Sequence, residues 1–314
     1  MTKYLIGAGG WAYFNVPGLN SLEAYSRVFN FVEVNSTFYE VPNLKTVELW
    51  RRRVPEDFEF SVRLNRKVSH KIKLEPVSEA FDLFDYTKHI CRILRSEIIV
   101  LQTPPTIDYN REKIRSIKDF FGSLNLEGIR IVWEVRRRGK ALPKALLNVM
   151  QEYNVIHCVD LSREEPAYES DQIYTRLFGK GEKNIYQFSD EDMMELDRRT
   201  KGREYEKVSI SFHNVKMYKD AARFKVYKET KKLMPITKYT GLQSLRHVLK
   251  EDAKFPASKE ALIKDQGWKL VDLTKEKRIH ASELLQRIPK KVYRDVNEVI
   301  EALNQIRSDA PIFQ

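Results

Sequence analysis

Up to about residue 232, short apolar runs rich in β-branched and aromatic residues alternate with longer segments of helical period. The runs cover residues 4–7, 31–35, 58–63, 98–102, 129–134, 155–160, 172–177 and 207–212. Helical patterns lie between most of them, at residues 21–30, 44–53, 78–95, 111–124, 143–153 and 190–200, with a last one at 216–232. Only the connection at 162–171 reads as loop. Eight strands, nearly all followed by a helix, predict the α/β class and a (β/α)8 TIM-like barrel. A doubly wound open sheet is the competitor. The glycine-rich turn Gly7-Ala8-Gly9-Gly10-Trp11 lacks the third glycine of a dinucleotide fingerprint, and no Gly-Lys-Ser/Thr occurs. No nucleotide cofactor is therefore expected, and the glycines read as a tight strand-end turn where backbone comes close to something.

From residue 233 the alternation stops. Helical patterns at 242–250, 258–266, 281–288 and 296–306 predict a small helical C-terminal module (233–314) beside a barrel domain (1–232). Asp295 with Glu298 makes a capping-box-like start for the last helix, and Pro289 stops the one before. Trp268, Leu270, Val271 and Leu273 suggest a short extended stretch. A module of this size binds, orients or dimerises more readily than it catalyses.

Composition narrows the classes. Of 314 residues, 42% are hydrophobic, enough to fill a core. Two cysteines, Cys91 and Cys158, build neither a disulfide framework nor a thiolate metal cluster. No apolar run is long enough to span a membrane, and the first residues carry no signal-peptide pattern, so a cytoplasmic protein is expected. The formal net charge is +11, with a basic excess of seven before Leu233 and four from there on. Local clusters lie at Arg51-Arg52-Arg53, over residues 63–73, at Arg136-Arg137-Arg138 with Lys140, and over 216–232. Such charge draws phosphates by steering and counterion release; a solvated Lys/Glu-rich surface accounts for the same number.

Barrel active sites gather at the C-terminal ends of the strands. Here those ends are polar. Strand period puts Glu33 and Asn35 on one face, opposite Val32 and Val34. Strand three ends in Arg63 and runs through Arg66-Lys67 to Ser69-His70. The later strands end in Gln102, Glu134 with Arg136, Asp160, Arg176, and His213-Asn214. Buried charges are costly unless paired. Either these groups satisfy one another in a ring of ion pairs, or they form a binding site, which the convergence of so many strand ends favours. Arginines 63, 136 and 176, with Asn35, Gln102 and Asn214, suit a phosphate or carboxylate. Glu33, Glu134, Asp160 and His70 are the candidate acids and bases. Glu134, Asp160 and His213 are a candidate ligand set for Mg²⁺, Mn²⁺ or Zn²⁺, although no metal-binding spacing motif occurs. No Gly-x-Ser-x-Gly elbow supports nucleophilic catalysis.

These strand ends resemble the YecE-like family, a barrel family of unknown function. The resemblance rests on Gly7-Ala8-Gly9-Gly10-Trp11-Ala12-Tyr13, the segment from Phe31 through Glu33-Val34-Asn35-Ser36-Thr37-Phe38-Tyr39 to Pro42, and Phe58 to Arg63. It continues with Ser69-His70, Gln102-Thr103-Pro104-Pro105, Glu134-Val135-Arg136, Thr175-Arg176-Leu177-Phe178-Gly179, and Phe212-His213-Asn214 followed by Ala221. It implies a TIM-like barrel with a polar pocket at its mouth and supplies no reaction; the endonuclease IV and xylose isomerase barrels are similar at the level of fold alone. Four departures from the family pattern stand out. Arg63 takes the place of a usual Lys, Phe178 that of a His, and His213 that of the first of two asparagines. A Trp expected soon after Arg136 is missing. Phe178 weakens any metal or general-acid role for the family histidine, and His213 on the neighbouring strand end is placed to compensate.

The expected function is phosphodiester hydrolysis on nucleic acid, metal-assisted or not. An enzyme on a small phosphorylated or carboxylated metabolite and a non-catalytic nucleic-acid-binding protein are the alternatives. Glu134→Gln and Arg176→Ala are expected to keep the fold and lose ligand binding. Oligomeric state stays open.

Overall fold

The computed structural model describes residues 2–14, 19–137, 141–181, 186–201, 204–234, 239–267, 269–274 and 277–307. Arg138, Lys140 and Trp268, named above, lie outside the described residues. The chain divides into two compact units, Met1–Trp11 with Tyr25–Leu233, and Ala12–Ala24 with Met234–Gln314.

Eight parallel strands form the first unit's sheet: β1 (Lys3–Ala8), β2 (Phe31–Val34), β3 (Glu59–Arg63), β4 (Ile98–Thr103), β5 (Arg130–Val135), β6 (Ile156–Cys158), β7 (Gln172–Leu177) and β8 (Lys207–Phe212). Neighbours pair in sequence order and β1 pairs with β8. The remaining gap, β6 to β7, is closed by a single bridge, Val159 to Thr175. There Thr175 Oγ1 donates to the Val159 carbonyl at 2.8 Å and accepts from the Leu161 N–H at 3.1 Å. A side chain thus supplies part of the ladder where β6 is only three residues long. The connection that follows β6 carries no helix, as its sequence predicts.

The other connections carry α1 (Ser21–Ser26), α2 (Leu44–Arg52), α3 (Ser78–Leu94), α4 (Arg111–Gly122), α5 (Lys144–Glu152) and α6 (Asp190–Lys201), and α7 (Met217–Thr230) follows β8. Their ends follow local chemistry. The Asn43 and Asn110 side chains accept the Lys45 and Lys113 N–H groups at 2.9 Å, capping α2 and α4. Ile117, Phe120 and Phe121 make the buried stripe of α4.

Period two sets the barrel interior in layers. At the N-terminal end Lys207 pairs with Glu59 at 3.1 Å and Glu97 at 3.3 Å. Above lies an apolar cluster that includes Leu5, Phe31, Val100, Val132, Ile156 and Tyr174. Two residues further along β2, β4, β5 and β7 the same inward face presents Glu33, Gln102, Glu134 and Arg176.

The C-terminal unit has its own core, built from residues such as Leu245, Leu249, Val271, Leu284, Leu285, Tyr293, Val299 and Leu303. Its helices are α8 (Gly241–Asp252), α9 (Lys259–Gln266), α10 (Ala281–Leu285) and α11 (Val296–Arg307). The expected extended stretch is the strand β10 (Leu270–Asp272), antiparallel to β11 (Arg278–His280). A second small sheet pairs β9 (Ala257–Ser258) with β12 (Val292–Tyr293). The partner of β10, β11, and the strands β9 and β12, of two or three residues each, carry too little period to be read from sequence. Among the described residues no helix is long and apolar enough to cross a membrane.

Candidate active site

Arg176, near the end of β7, is the hub of the barrel mouth. Its Nη2 donates to Glu33 Oε1 at 3.0 Å and its Nε to Glu33 Oε2 at 3.1 Å. Its Nη1 donates to Glu134 Oε2 and, at 3.2 Å, to Gln102 Oε1. Tyr174 donates to Glu33 Oε2 at 3.0 Å and exchanges a 2.7 Å hydrogen bond with Ser61 Oγ. Arg136 Nε donates to the other Glu134 oxygen at 2.7 Å. Full burial would raise both carboxyls; Arg176 together with His213 and Arg63 at Glu33, and Arg176 together with Arg136 at Glu134, outweigh it, so Glu33 sits far below the usual carboxylate range and Glu134 falls to about 2. Burial likewise opposes the charge on Arg176, but Glu33 and Glu134 more than restore it. Both glutamates are ionised and occupied. Removing this guanidinium would leave two carboxylates without their main partner, so the geometry predicts that Arg176→Ala destabilises the fold, against the expectation from sequence.

Arg63, at the end of β3, is different. It is 5% exposed. It donates to the amide oxygens of Asn35 and Gln102, and its guanidinium lies 3.6 Å from the centre of the Phe38 ring. Among the described residues no carboxylate is within ion-pairing distance, and Arg63 Nε has no hydrogen-bond partner. Burial, and then repulsion from Arg176, lower its pKa to about 10. The site thus holds a desolvated cation whose contacts are neutral, the electrostatic signature of an anion receptor.

His70 lies beside it on the turn of π-helix Lys67–Lys71, with its ring 5.2 Å from that of Phe38. Its Nδ1 is hydrogen bonded to Ser69 Oγ at 2.9 Å. Partial burial, then Arg63, Arg136 and Arg66, lower its pKa and keep it neutral near pH 7. His213 is buried, 3.4 Å from Glu33 and 3.0 Å from Ser211 Oγ. Phe178 stacks on it at 5.1 Å between ring centres. The two departures Phe178 and His213 are therefore one contact. The glycine turn makes room for it: a Cβ on Gly9 would collide with the His213 ring, and one on Gly7 with the Phe31 carbonyl.

Two predicted site residues have local duties. Asp160 Oδ2 accepts from the Phe178 and Gly179 N–H groups at 2.8 and 3.0 Å, and its Oδ1 from Ser162. It ties the β6 loop to the β7 loop while lining a cleft of about 600 Å³ with Glu134, Arg136, Arg163, Arg176 and Phe178. Asn214 is buried and donates to Asp220 Oδ2 at 2.7 Å and to the Tyr186 carbonyl at 2.8 Å, away from the Arg63 cluster. The proposed ligand set Glu134, Asp160 and His213 does not fit a metal: its acceptor atoms are engaged by guanidinium, backbone and hydroxyl donors. Among the described residues no group of three His, Cys, Asp or Glu side chains could hold one.

Tyr174 and Ser61, missing from the sequence-predicted set, were findable. Each lies two residues before a predicted site residue, Arg176 and Arg63, and so faces inward with it. Phe38 carries no polar atom to mark it.

The comparisons with known proteins agree with the barrel fold. The model of a family described as a protein of unknown function, DUF72, matches residues 5–235. The chain belongs to the DUF72 family. A 57-residue stretch is 40% identical to the YecE protein of Escherichia coli, covering 18% of this chain and 21% of that one. A second, of 126 residues, is 25% identical to YunF of Bacillus subtilis, covering 36% and 44%. The chain thus aligns with well under two thirds of either relative. Crystal structures of DUF72 proteins from Enterococcus faecalis and Thermotoga maritima superpose with TM-score 0.57 at 16% and 20% identity. They cover 74% and 72% of this chain and 99% of each of those. At such identity the likeness shows the barrel alone.

Proposed function

We propose that this DUF72 protein is a phosphodiester hydrolase acting on nucleic acid at the mouth of the barrel. The observation that carries the reading is Arg63: a nearly buried guanidinium with an unpartnered Nε and, among the described residues, no carboxylate within ion-pairing distance, Glu33 and Glu134 acting on it only from further off. A phosphate placed there would be held by Arg63 and by Arg136, whose side chain is 44% exposed. Glu33, Glu134, Gln102, Asn35 and Arg176 would keep the two arginines in place, rather than react. His70, neutral and beside Arg63, would take a proton from water as the water oxygen bonds to phosphorus; the ester P–O bond breaks and the departing alkoxide takes a proton from solvent. The arginines would stabilise the charge gathered on the phosphoryl oxygens. No step is assigned to a metal, since the donors present are held by other groups.

Exposed basic residues on the loop that follows Arg63, namely Arg66, Lys71 and Lys73, have no ion-pair partner among the described residues and favour a polymeric substrate. The near-closure of Arg63 favours instead a small phosphorylated metabolite, using the same groups. One assay separates them: single-stranded, duplex and abasic oligonucleotides against a panel of phosphorylated metabolites, each with chelator and with added Mg²⁺, Mn²⁺ or Zn²⁺. Cleaved oligonucleotide that is lost in His70→Gln supports the proposal. Turnover of metabolites alone gives the second reading, and intact substrates throughout would remove both.

A further inference from the structure

Phe38 and Tyr39 adjoin in sequence but differ in exposure. Phe38 is 7% exposed beneath the Arg63 guanidinium, and Tyr39 is 63% exposed. Their rings meet edge to face at 5.1 Å. The position of Tyr39 is fixed by its backbone: its N–H donates to the Ser36 carbonyl at 3.0 Å, closing the 3₁₀ turn Ser36–Phe38. Thr37 Oγ1 ties that turn to the Val34 and Arg63 carbonyls at 2.9 and 2.6 Å, and Asn65 Nδ2 donates to the Thr37 carbonyl at 3.1 Å. An aromatic face in water forgoes the burial that stabilises a large apolar side chain in a core. Here a turn tied by these hydrogen bonds holds such a face one ring away from a buried guanidinium that has no ion pair among the described residues.

The β3–α3 loop borders the same spot. Arg66, Lys71 and Lys73 are exposed and unpaired among the described residues, whereas Lys67 is paired with Glu79. The loop is stiffened by unusual backbone, a π turn over Lys67–Lys71 followed by left-handed Lys73 and Leu74 at φ 57° and 61°. Non-glycine residues adopt such angles at a cost, and π turns recur where side chains must be aimed.

An aromatic platform, a buried anion receptor and free cations along one rim are the parts of a single-strand nucleic-acid site. We propose that Tyr39 stacks on an unpaired base whose phosphate sits on Arg63, with Arg66, Lys71 and Lys73 following the adjoining backbone. The inference rests on the phosphate reading of Arg63 and narrows its substrate to single-stranded nucleic acid. A base within a duplex keeps both faces covered by its neighbours and cannot lie on Tyr39.

The test is anisotropy titration of the full chain with labelled oligothymidylate, oligouridylate and a duplex of equal length, at one salt concentration. Single strands should bind more tightly than the duplex. Tyr39→Ala should weaken them by about five- to 150-fold, and Tyr39→Phe should restore them, since only the ring face is needed. Tyr39 is exposed, so Tyr39→Ala is expected to fold. The oligothymidylate and oligouridylate arms separate DNA from RNA. Inorganic phosphate supplies the control: it should raise the melting temperature of the wild type and of Tyr39→Ala, but not of Arg63→Met. Wild-type oligonucleotide affinity in Tyr39→Ala, with the phosphate effect intact, would remove the base platform and leave the anion site standing. Equal affinity for duplex and single strand would also overturn it. Absence of both phosphate and oligonucleotide binding would overturn the platform and the phosphate reading together.

Discussion

Arg176 and Glu33 share two hydrogen bonds, Nη2 to Oε1 at 3.0 Å and Nε to Oε2 at 3.1 Å, and both side chains are buried. The pair joins β7 to β2 across the barrel mouth. Truncating one partner strands the other charge in a buried site, at a cost of about 3–5 kcal/mol. Arg176→Ala and Glu33→Ala should each lose stability on that scale by urea unfolding. A loss below about 1 kcal/mol would mean that water enters and solvates the orphaned group.

The same pairing sets the acid limit of the fold. The folded carboxyls of Glu33 and Glu134 lie below their unfolded value of about 4.3, Glu134 at about 2. Groups depressed in this way contribute stability above the unfolded value and lose it as pH falls toward the folded one. Thermal melts should therefore lose little between pH 7 and about 5 from these groups and decline steeply between about 4 and 2. In Glu134→Gln the decline over that window should be shallower.

Arg63 should show the opposite of a structural arginine. It has no carboxylate partner to strand, so Arg63→Met should cost less than about 1 kcal/mol or stabilise the fold. Phosphate protection against thermal unfolding should vanish in the same variant. A large destabilisation, with phosphate protection kept, would show that Arg63 holds the mouth together and receives no anion.

His70 is neutral because burial, then three nearby arginines, lower its pKa. Its basic form persists below the ordinary value of about 6.5, so kcat/KM on a cleaved oligonucleotide should stay level down to that pH and fall only below it. His70→Gln should lower the rate by about 10²–10⁴-fold and remove that acid limb. An unchanged profile in the variant would assign the base elsewhere.

Gly9 faces the His213 ring too closely for a side chain. Gly9→Ala should destabilise by about 1–3 kcal/mol, the usual range for forced overpacking. It should also shift the His213 imidazole signals in an NMR titration. Wild-type stability and signals would mean that the ring swings aside freely.

The barrel was legible from the chain because its signals are periodic. Eight β-rich runs separated by helical patterns leave few topologies, and period two along each strand placed Glu33, Gln102, Glu134 and Arg176 on the face that becomes the mouth. The helix-free β6–β7 connection was visible for the same reason. Of the small sheets only the β10 stretch was anticipated; β9, β11 and β12 are too short to show a period. Period also says nothing about which charges meet. Whether a guanidinium ends up saturated by carboxylates, like Arg176, or held by neutral amides, like Arg63, depends on distances between strands remote in sequence, and only the closed barrel sets those. Asp160 and Asn214 carry the right chemistry at the right strand ends, yet their atoms bind neighbouring backbone and side chains. Sequence determined the scaffold and the list of polar groups, because secondary-structure period is local. Tertiary structure decided which of those groups is saturated and which has no ion pair, because burial and pairing are properties of the space between strands.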